Sequence, residues 1–130
     1  MLLALAAFTA CSGDIDTAAD PAINDVWNAA KSRGVAFRAI GQEPGWHLEI
    51  TNGEKIVLVT DYGSTTTTMS YVDPVVHEED RLSRYALDSH QTTIEIRSER
   101  CADIMSGEEF EAAVTVLIAD RELRGCGRAL

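Results

Sequence analysis

The most regular pattern of apolar and polar residues follows the sequence Glu43-Pro44-Gly45. Residues 46–51 alternate between the two classes, with the apolar side chains at Trp46, Leu48 and Ile50. A period of two predicts a β-strand with one buried and one solvated face. Pro-Gly suits the centre of a type II turn, because Pro fixes φ at about −65° and Gly accepts a positive φ. A reversal of the chain leading into a sheet is therefore expected here.

Similar signals continue to the end of the chain and predict eight strands in all. Asn52-Gly53 favours a type I′ hairpin between two of them, because both residues tolerate positive φ. Three further short connections contain Gly, Asp or Ser, so successive strands are expected to pair antiparallel, as a meander. These connections are Tyr62-Gly63-Ser64, Asp88-Ser89-His90 and Ala119-Asp120-Arg121. The predicted strands are 35–40, 46–51, 55–61, 65–72, 82–87, 92–97, 110–118 and 122–126.

Short antiparallel strands leave costly edges unless the sheet closes or is covered. We therefore expect a mainly β fold, a small eight-stranded antiparallel meander barrel or curled sheet with one N-terminal helix. The longest linkers are predicted at 73–80 and 98–109, and binding residues concentrate on such loops. Side chains should fill the interior. The expected interior residues are Phe37, Trp46, Leu48, Ile50, Ile56, Leu58, Ile94, Ile96, Phe110, Val114 and Val116.

The helix is predicted before the first strand, with Asp20 as its N-cap, Pro21 at its first position and Gly34 as its stop signal. Its apolar residues recur at i, i+3, i+4 and i+7, which forms one stripe on a helix. We expect this stripe to pack on the sheet, and a partner-binding face is the alternative. The stripe consists of Ile23, Val26, Trp27 and Ala30.

The first ten residues are apolar and uncharged, and small residues precede Cys11. A bilayer-spanning helix needs about 20 residues, so this stretch is too short to span. It resembles the apolar part of a secretion signal with a lipobox, Phe8-Thr9-Ala10-Cys11, in which Cys11 is lipidated and becomes the mature N-terminus. We expect a signal peptide at 1–10, truncated at its start because no basic residue precedes the apolar run. A lipidated tether at 11–19 and a single domain at 20–130 follow. A buried N-terminal strand is the alternative.

The chain has three cysteines. If lipid occupies Cys11, then Cys101 and Cys126 remain as a pair in an exported, oxidising compartment and are expected to form a disulfide. Closing a loop of about 26 residues would stabilise the fold by about 3.5 kcal/mol in the chain-entropy model. Two free buried thiols in a cytosolic protein are the alternative.

The net charge of −10 excludes a nucleic-acid binder, because binding phosphates requires a basic face. An electrostatic partner is expected to be cationic. The histidines His47, His77 and His90 lack the spacing of a metal site, although His77 beside an acidic run is an alternative for weak binding of a divalent ion. No phosphate loop or nucleophile elbow is present in the sequence. We therefore expect no metal, no cofactor and no enzyme, and a hydrolase is the third class considered.

A family of uncharacterised bacterial lipoproteins and membrane-associated proteins resembles this chain in three motifs across most of the domain. The motifs are Gly41-x-Glu43-Pro44-Gly45-Trp46, then Cys101-x-x-x-Met105-Ser106 followed by Phe110, and Gly125-Cys126-x-Arg128. The resemblance implies a β fold and an envelope location, without an agreed activity. Members are similar in outline to the membrane-bound inhibitors of C-type lysozyme.

The sequence Ser106-Gly107-x-x-Phe110 also resembles the Ser-Gly-x-x-Tyr motif of those inhibitors, with Phe in place of Tyr. The inhibitors insert this loop into the active-site cleft of the enzyme. The resemblance implies a binding loop containing Met105, Ser106, Gly107 and Phe110. The alternative is that the segment only connects strands, with Ile104 and Met105 plugging the barrel end.

The function expected from these observations is that of a lipid-anchored, non-enzymatic binding or scaffold module in the bacterial envelope. Lipid on Cys11 would attach it to the membrane, and Ser12 after the lipidated cysteine favours the outer membrane, facing the periplasm. Inhibition of a cationic C-type lysozyme is the alternative function. A further conjecture is an ion pair between Glu43 and one of the two arginines that flank Cys126, Arg124 or Arg128, which would join the last strand to the first turn.

Overall fold

The computed structural model describes residues 21–130. The predicted signal peptide, the lipidation site Cys11, the tether and the N-cap Asp20 lie outside the described residues, and so does the side chain of Ile23. One α-helix, nine strands and two single-turn 3₁₀ helices, Asp61–Gly63 and Asp88–His90, make up the described fold. The α-helix and the strands are α1 (Pro21–Ser32), β1 (Phe37–Gly41), β2 (Trp46–Thr51), β3 (Lys55–Thr60), β4 (Thr65–Ser70), β5 (Val75–His77), β6 (Leu82–Leu87), β7 (Thr92–Ala102), β8 (Glu109–Ile118) and β9 (Arg121–Ala129).

All the strands belong to one antiparallel sheet, in the order β4-β3-β2-β1-β9-β8-β7-β6-β5. Consecutive strands pair except β4 and β5, which form the two edges, and the first strand pairs with the last. If the sheet were flat, its edges would lie about 38 Å apart, at about 4.8 Å per strand. The four linking residues 71–74 can span only about 18 Å. The sheet must therefore curl into an incomplete barrel that is open between β4 and β5.

The predicted mainly β fold, the antiparallel meander and the N-terminal helix are confirmed. The strand count of eight is wrong, because β5 lies inside the predicted linker 73–80. Strand β7 also continues past residue 97 to Ala102, through a bulge between Ser98 and Cys101. Its backbone keeps pairing with β8 although most side chains there are exposed. The predicted linker 98–109 therefore shrinks to the loop 103–108.

The turn before β2 is not type II. The Glu43–Pro44 peptide bond is cis and Glu43 has φ 51°, whereas Gly45 has no positive φ. A Cβ at Gly45 would lie 3.1 Å from the ring of Tyr62, so a larger residue there would need this exposed ring to shift by a few tenths of an ångström. The predicted hairpin between β2 and β3 is present, but its loop has three residues and only Gly53 adopts positive φ, so it is not type I′.

The barrel interior holds the main hydrophobic core, as the alternation predicts. Eight of the expected interior residues are buried in it, and Phe37 and Ile96 pack against it while partly exposed. Phe110 is buried but belongs to a second cluster outside the main core. The eight confirmed residues are Trp46, Leu48, Ile50, Ile56, Leu58, Ile94, Val114 and Val116.

Glycines allow β1 and β9 to pair beneath a large ring. Gly41 and Gly125 are register partners in this ladder. A Cβ on Gly41 would overlap the indole of Trp46, and a Cβ on Gly125 would overlap the backbone oxygen of Ile40. The Trp46 ring therefore packs directly on the glycine pair, where a side chain on either strand would exclude it.

Helix α1 contributes Trp27 to the second cluster. Trp27 is buried with Phe110 and Cys126, and Ala30 of the same helix is also buried. Val26 is 47% exposed, so the predicted stripe is narrower than expected. The helix contacts the outer face of the sheet, because Trp27 packs against arginine side chains that project from β1 and β9.

Candidate functional site

The predicted disulfide between Cys101 and Cys126 is present, with a Cα–Cα distance of 5.6 Å. The two residues lie on β7 and β9, and β8 runs between these strands. Strands two apart in a flat sheet are about 9.6 Å apart. The end of β7 beyond the bulge must therefore bend over β8 towards β9, and the bridge fixes the start of the loop 103–108.

The loop 103–108 is organised around the buried carboxylate of Asp103. Asp103 Oδ2 accepts hydrogen bonds from the backbone N–H and the hydroxyl of Ser106, at 2.9 and 2.8 Å. Its backbone carbonyl accepts one from Gly107 N–H at 2.8 Å, and its N–H donates to the carbonyl of Glu108 at 2.9 Å. Gly107 has φ 71°, which favours glycine. The loop is thus closed by its own polar groups.

The pKa of Asp103 reflects the same contacts. Burial on its own would raise the pKa of this carboxyl, but hydrogen bonds from the Ser106 N–H and hydroxyl outweigh it, with a contribution from Gln42. The net result is a pKa below the ordinary value. The carboxylate is therefore ionised at neutral pH while it holds the loop.

Large apolar side chains stand exposed at the tip of this loop. Ile104 is 79% exposed and Met105 is 68% exposed, so the alternative in which they plug the barrel end is wrong. Of the predicted binding residues, Met105, Ser106 and Gly107 are at the surface. Phe110 lies beneath, buried against Trp27 with 5.6 Å between ring centroids. We call residues 104–107 the loop tip.

A cavity of about 550 Å³ lies on one side of the loop. The β1–β2 turn, the end of β7, β8 and β9 line it, and Arg124 is its single basic residue. Arg124 Nε contacts Glu122 Oε1 at 2.9 Å, so three carboxylates remain without a basic partner within the lining. We call this space the acidic cavity. Its acidic residues are Glu43, Glu99, Asp103 and Glu122.

Two arginines flank the indole of Trp27. The guanidinium carbons of Arg38 and Arg128 lie 4.8 and 4.3 Å from the ring centroid, and the two residues are register partners on β1 and β9. Arg128 also lies 3.7 Å from Glu108 of the loop. The conjectured ion pair with Glu43 is wrong, because Arg128 points to the helix and to Glu108 and Arg124 pairs with Glu122.

A second space, of about 330 Å³, lies between α1, β1 and the loop. We call it the helix groove. Val26, Trp27 and Ile40 form its apolar lining. Its polar lining residues are Arg38, Gln42, Asp103, Ser106 and Glu108. Gln42 and Asp103 also line the acidic cavity, so the loop separates two neighbouring spaces.

Arg38, Gln42 and Asp103 were not predicted as site residues. Arg38 alternates with the interior positions of β1, which indicates an exposed side chain, and no local pattern shows that α1 covers it. Asp103 lies three residues before Ser106, a spacing at which an aspartate side chain often caps a turn. This spacing could have predicted the turn of the loop.

His47 alternates with Trp46 and Leu48 and so belongs to the face of 46–51 predicted to be solvated, but it is half-buried on β2. Burial lowers its pKa, and the nearby charge of Arg38 lowers the pKa further.

Within residues 21–130 no three His, Cys, Asp or Glu side chains are grouped so that they could hold a metal ion. The described helix is not long and apolar enough to cross a membrane.

No protein-family model, no curated protein and no solved structure matches this chain.

Proposed function

We propose that this protein is a lipid-anchored, non-enzymatic binding module of the bacterial envelope, which contacts a cationic protein through its loop tip and acidic cavity. The observation that carries the proposal is the exposure of Ile104 and Met105 on a loop fixed by a disulfide and by Asp103. Apolar side chains held in a defined position lose little entropy on binding. Such side chains, next to a cavity, are typical anchors of protein interfaces.

The charge distribution supports a cationic partner. The whole chain carries −10, and the acidic cavity adds a local excess of carboxylates beside the apolar tip. A field of this sign speeds the association of positively charged proteins, and the effect falls as salt is added. The acidic side chains would also select against anionic partners.

The lipid anchor is the second part of the proposal. It rests on the lipobox-like sequence Phe8-Thr9-Ala10-Cys11. The disulfide between Cys101 and Cys126 supports it, since such bonds persist in exported proteins. Labelled palmitate should be incorporated into the protein and lost in Cys11→Ala. An unlabelled native chain would refute the anchor without affecting the binding proposal.

Site-specific photocrosslinking in the intact cell envelope tests the binding role. We expect a photoreactive amino acid at Met105 to capture a discrete protein that the same probe at Val76 does not capture. Val76 is a matched control because it is also apolar and exposed, but it lies on the edge strand β5. Capture should weaken when Ile104 is replaced by Ser. Identical products from both positions would contradict the proposal.

Inhibition of C-type lysozyme is the second candidate, and it is favoured by the position of Ser106 and Gly107 at the surface of the loop tip. A full chain with Cys11→Ala should reduce lysozyme activity at low ionic strength. The double change Ile104→Ser, Met105→Ser should weaken inhibition at unchanged thermal stability. No inhibition at micromolar concentration would exclude the lysozyme role and leave the general binding module to the crosslinking test.

A further inference from the structure

Arg38 is a buried cation without hydrogen bonds in the described part of the chain. Its exposure is 8%, and its Nε is fully buried with no hydrogen-bond partner among residues 21–130. A guanidinium carries five N–H donors and stays charged at neutral pH. A buried charge costs free energy unless it is both paired and hydrogen-bonded, so an Nε without a hydrogen-bond partner leaves this guanidinium incompletely satisfied.

The neighbouring groups do not satisfy the N–H donors of Arg38. Glu49 Oε2 lies 3.8 Å from Arg38 Nε, beyond hydrogen-bond distance, and the same carboxylate accepts two hydrogen bonds from Arg33, at 2.9 and 3.3 Å. Trp27 offers the face of its ring, which attracts the charge without accepting N–H groups as an oxygen does. Arg128 on the same ring adds a second positive charge.

The helix groove borders on Arg38. Arg38 is among its lining residues, and Val26, Trp27 and Ile40 provide an apolar wall. Its volume of about 330 Å³ is at the lower end of the range, about 300 to 1,000 Å³, that is typical of small-molecule sites. A space with an apolar wall and an incompletely paired cation is suited to a small ligand with an anionic end and an apolar part.

We propose that the helix groove binds a small organic carboxylate, whose oxygens accept hydrogen bonds from Arg38 and whose hydrocarbon part packs against Val26 and Ile40. A planar carboxylate matches the paired N–H groups of a guanidinium better than a spherical anion does. This site lies beside the loop tip, with which it shares Ser106, and the proposal goes beyond the proposed protein partner.

The acidic residues of the groove determine which carboxylates fit. Glu108 lies 3.7 Å from Arg128, and Asp103 is held by Ser106, so both carboxylates already have polar contacts within the protein. They remain negative, however, and an ammonium group on the ligand would meet them favourably. The groove therefore admits either a plain carboxylate or an amino acid, and these two sources of the carboxylate are distinguishable by experiment.

The test compares three compounds with the same branched side chain on the full chain carrying Cys11→Ala. They are leucine, 4-methylpentanoate, which lacks the amine, and leucinamide, which lacks the free carboxylate. We expect saturable binding of at least one of the first two by calorimetry, and at least tenfold weaker binding of leucinamide. Preference for leucine identifies an amino-acid site. Equal binding of all three compounds would overturn the proposal. So would the absence of binding by either carboxylate at 10 millimolar, a dissociation constant that corresponds to a binding free energy of roughly 3 kcal/mol.

Two variants locate the site. Arg38→Gln should abolish binding, whereas Arg84→Gln, which removes a partly exposed arginine on β6 outside the groove lining, should retain it within about threefold. Since Arg38→Gln can also disturb packing, Val26→Trp serves as a second variant, because Val26 is half exposed and a larger side chain there fills the groove from outside. A folded Val26→Trp protein that still binds with native affinity would refute the location.

A spectroscopic readout separates direct contact from an indirect effect. The guanidinium N–H resonances of Arg38 should move downfield when a carboxylate accepts their hydrogen bonds, and they should not move with leucinamide. The double change Ile104→Ser, Met105→Ser should leave both the shift and the affinity unchanged. Retained carboxylate binding in this double variant would therefore show that the helix groove acts independently of the proposed protein-binding surface.

Discussion

The two hydrophobic clusters of this molecule are built differently. The barrel interior consists mainly of aliphatic side chains that alternate along the strands, such as Leu48, Ile56 and Ile94. The outer cluster beneath α1 instead combines Trp27 and Phe110 with a disulfide and two guanidinium groups. The interior depends on volume and alternation, whereas the outer cluster depends on specific contacts between unlike groups. The groups able to recognise a ligand are therefore concentrated outside the barrel.

The largest expected effect comes from the interior. Leu48 is fully buried, so Leu48→Ala should lower the free energy of unfolding by about 2 to 5 kcal/mol, through lost transfer energy and a cavity. Ile104→Ala removes similar apolar volume at the exposed loop tip and should change the free energy of unfolding by less than about 0.5 kcal/mol. Urea denaturation measures both. Comparable losses at the two positions would contradict the distinction between interior and tip.

Removing the disulfide should act mainly on the outer cluster. The double change Cys101→Ala, Cys126→Ala is expected to cost about 3 kcal/mol, because the unfolded chain regains the entropy that the bridge had removed. Amide exchange at Gly107, whose N–H donates to Asp103, should become faster than exchange at Ile94 in the interior. An unchanged melting temperature would mean that packing alone holds the end of β7 over β8.

A smaller effect is expected at Trp27. Trp27→Leu keeps an apolar side chain but removes the ring that faces Arg38 and Arg128, and should cost about 2 kcal/mol. Trp27→Phe is the matched control, since it retains a ring and should lose roughly half as much. Chemical denaturation distinguishes them. Equal stability of the Leu and Phe variants would show that the outer cluster, like the interior, depends on apolar volume alone.

The smallest effect is a dependence on pH in the loop. Burial opposes ionisation of Asp103, but hydrogen bonds from Ser106 prevail and lower its pKa. The stabilisation is therefore present above the ordinary carboxyl pKa of about 3.9 and is lost as pH falls through the lower value of the folded state. The difference in melting temperature between the native chain and Asp103→Asn should shrink below about pH 4. A constant difference from pH 6 to pH 2 would argue against an ionised Asp103.

Alternation made much of the sheet predictable. Strand β2 has the expected bounds, 46–51, and β6 has the expected bounds, 82–87. Strand β5 was missed because it has only three residues, between Pro74 and an acidic run, and depends on pairing with β6. The extension of β7 was missed because the polar residues 97–100 show no period of two, although the backbone still pairs with β8 through the bulge.

The site was less predictable than the fold. The sequence indicated the loop containing Ser106 and Gly107, because its motif is local. It also indicated the disulfide, because two of the three cysteines remain once Cys11 is assigned to lipid. The burial of Arg38 depends on where α1 packs, and the pairing of β1 with β9 joins residues from opposite ends of the described chain. No short window of the sequence contains either relation.

The pairing of β1 with β9 also has a consequence for how the chain folds. Every other ladder joins strands adjacent in sequence, so β1–β4 and β5–β9 are two meanders that can form from local contacts. Only the β1–β9 ladder requires closure of a loop of most of the domain, and long-range pairings of this kind slow folding. The N–H of Leu130 donates to the carbonyl of Ala36 at 2.9 Å, so the outer ends of these strands are neighbours. A circular permutant opened within 71–74, with the end of β9 linked to the start of α1, would place β9, α1 and β1 consecutively in the chain and shorten this closure.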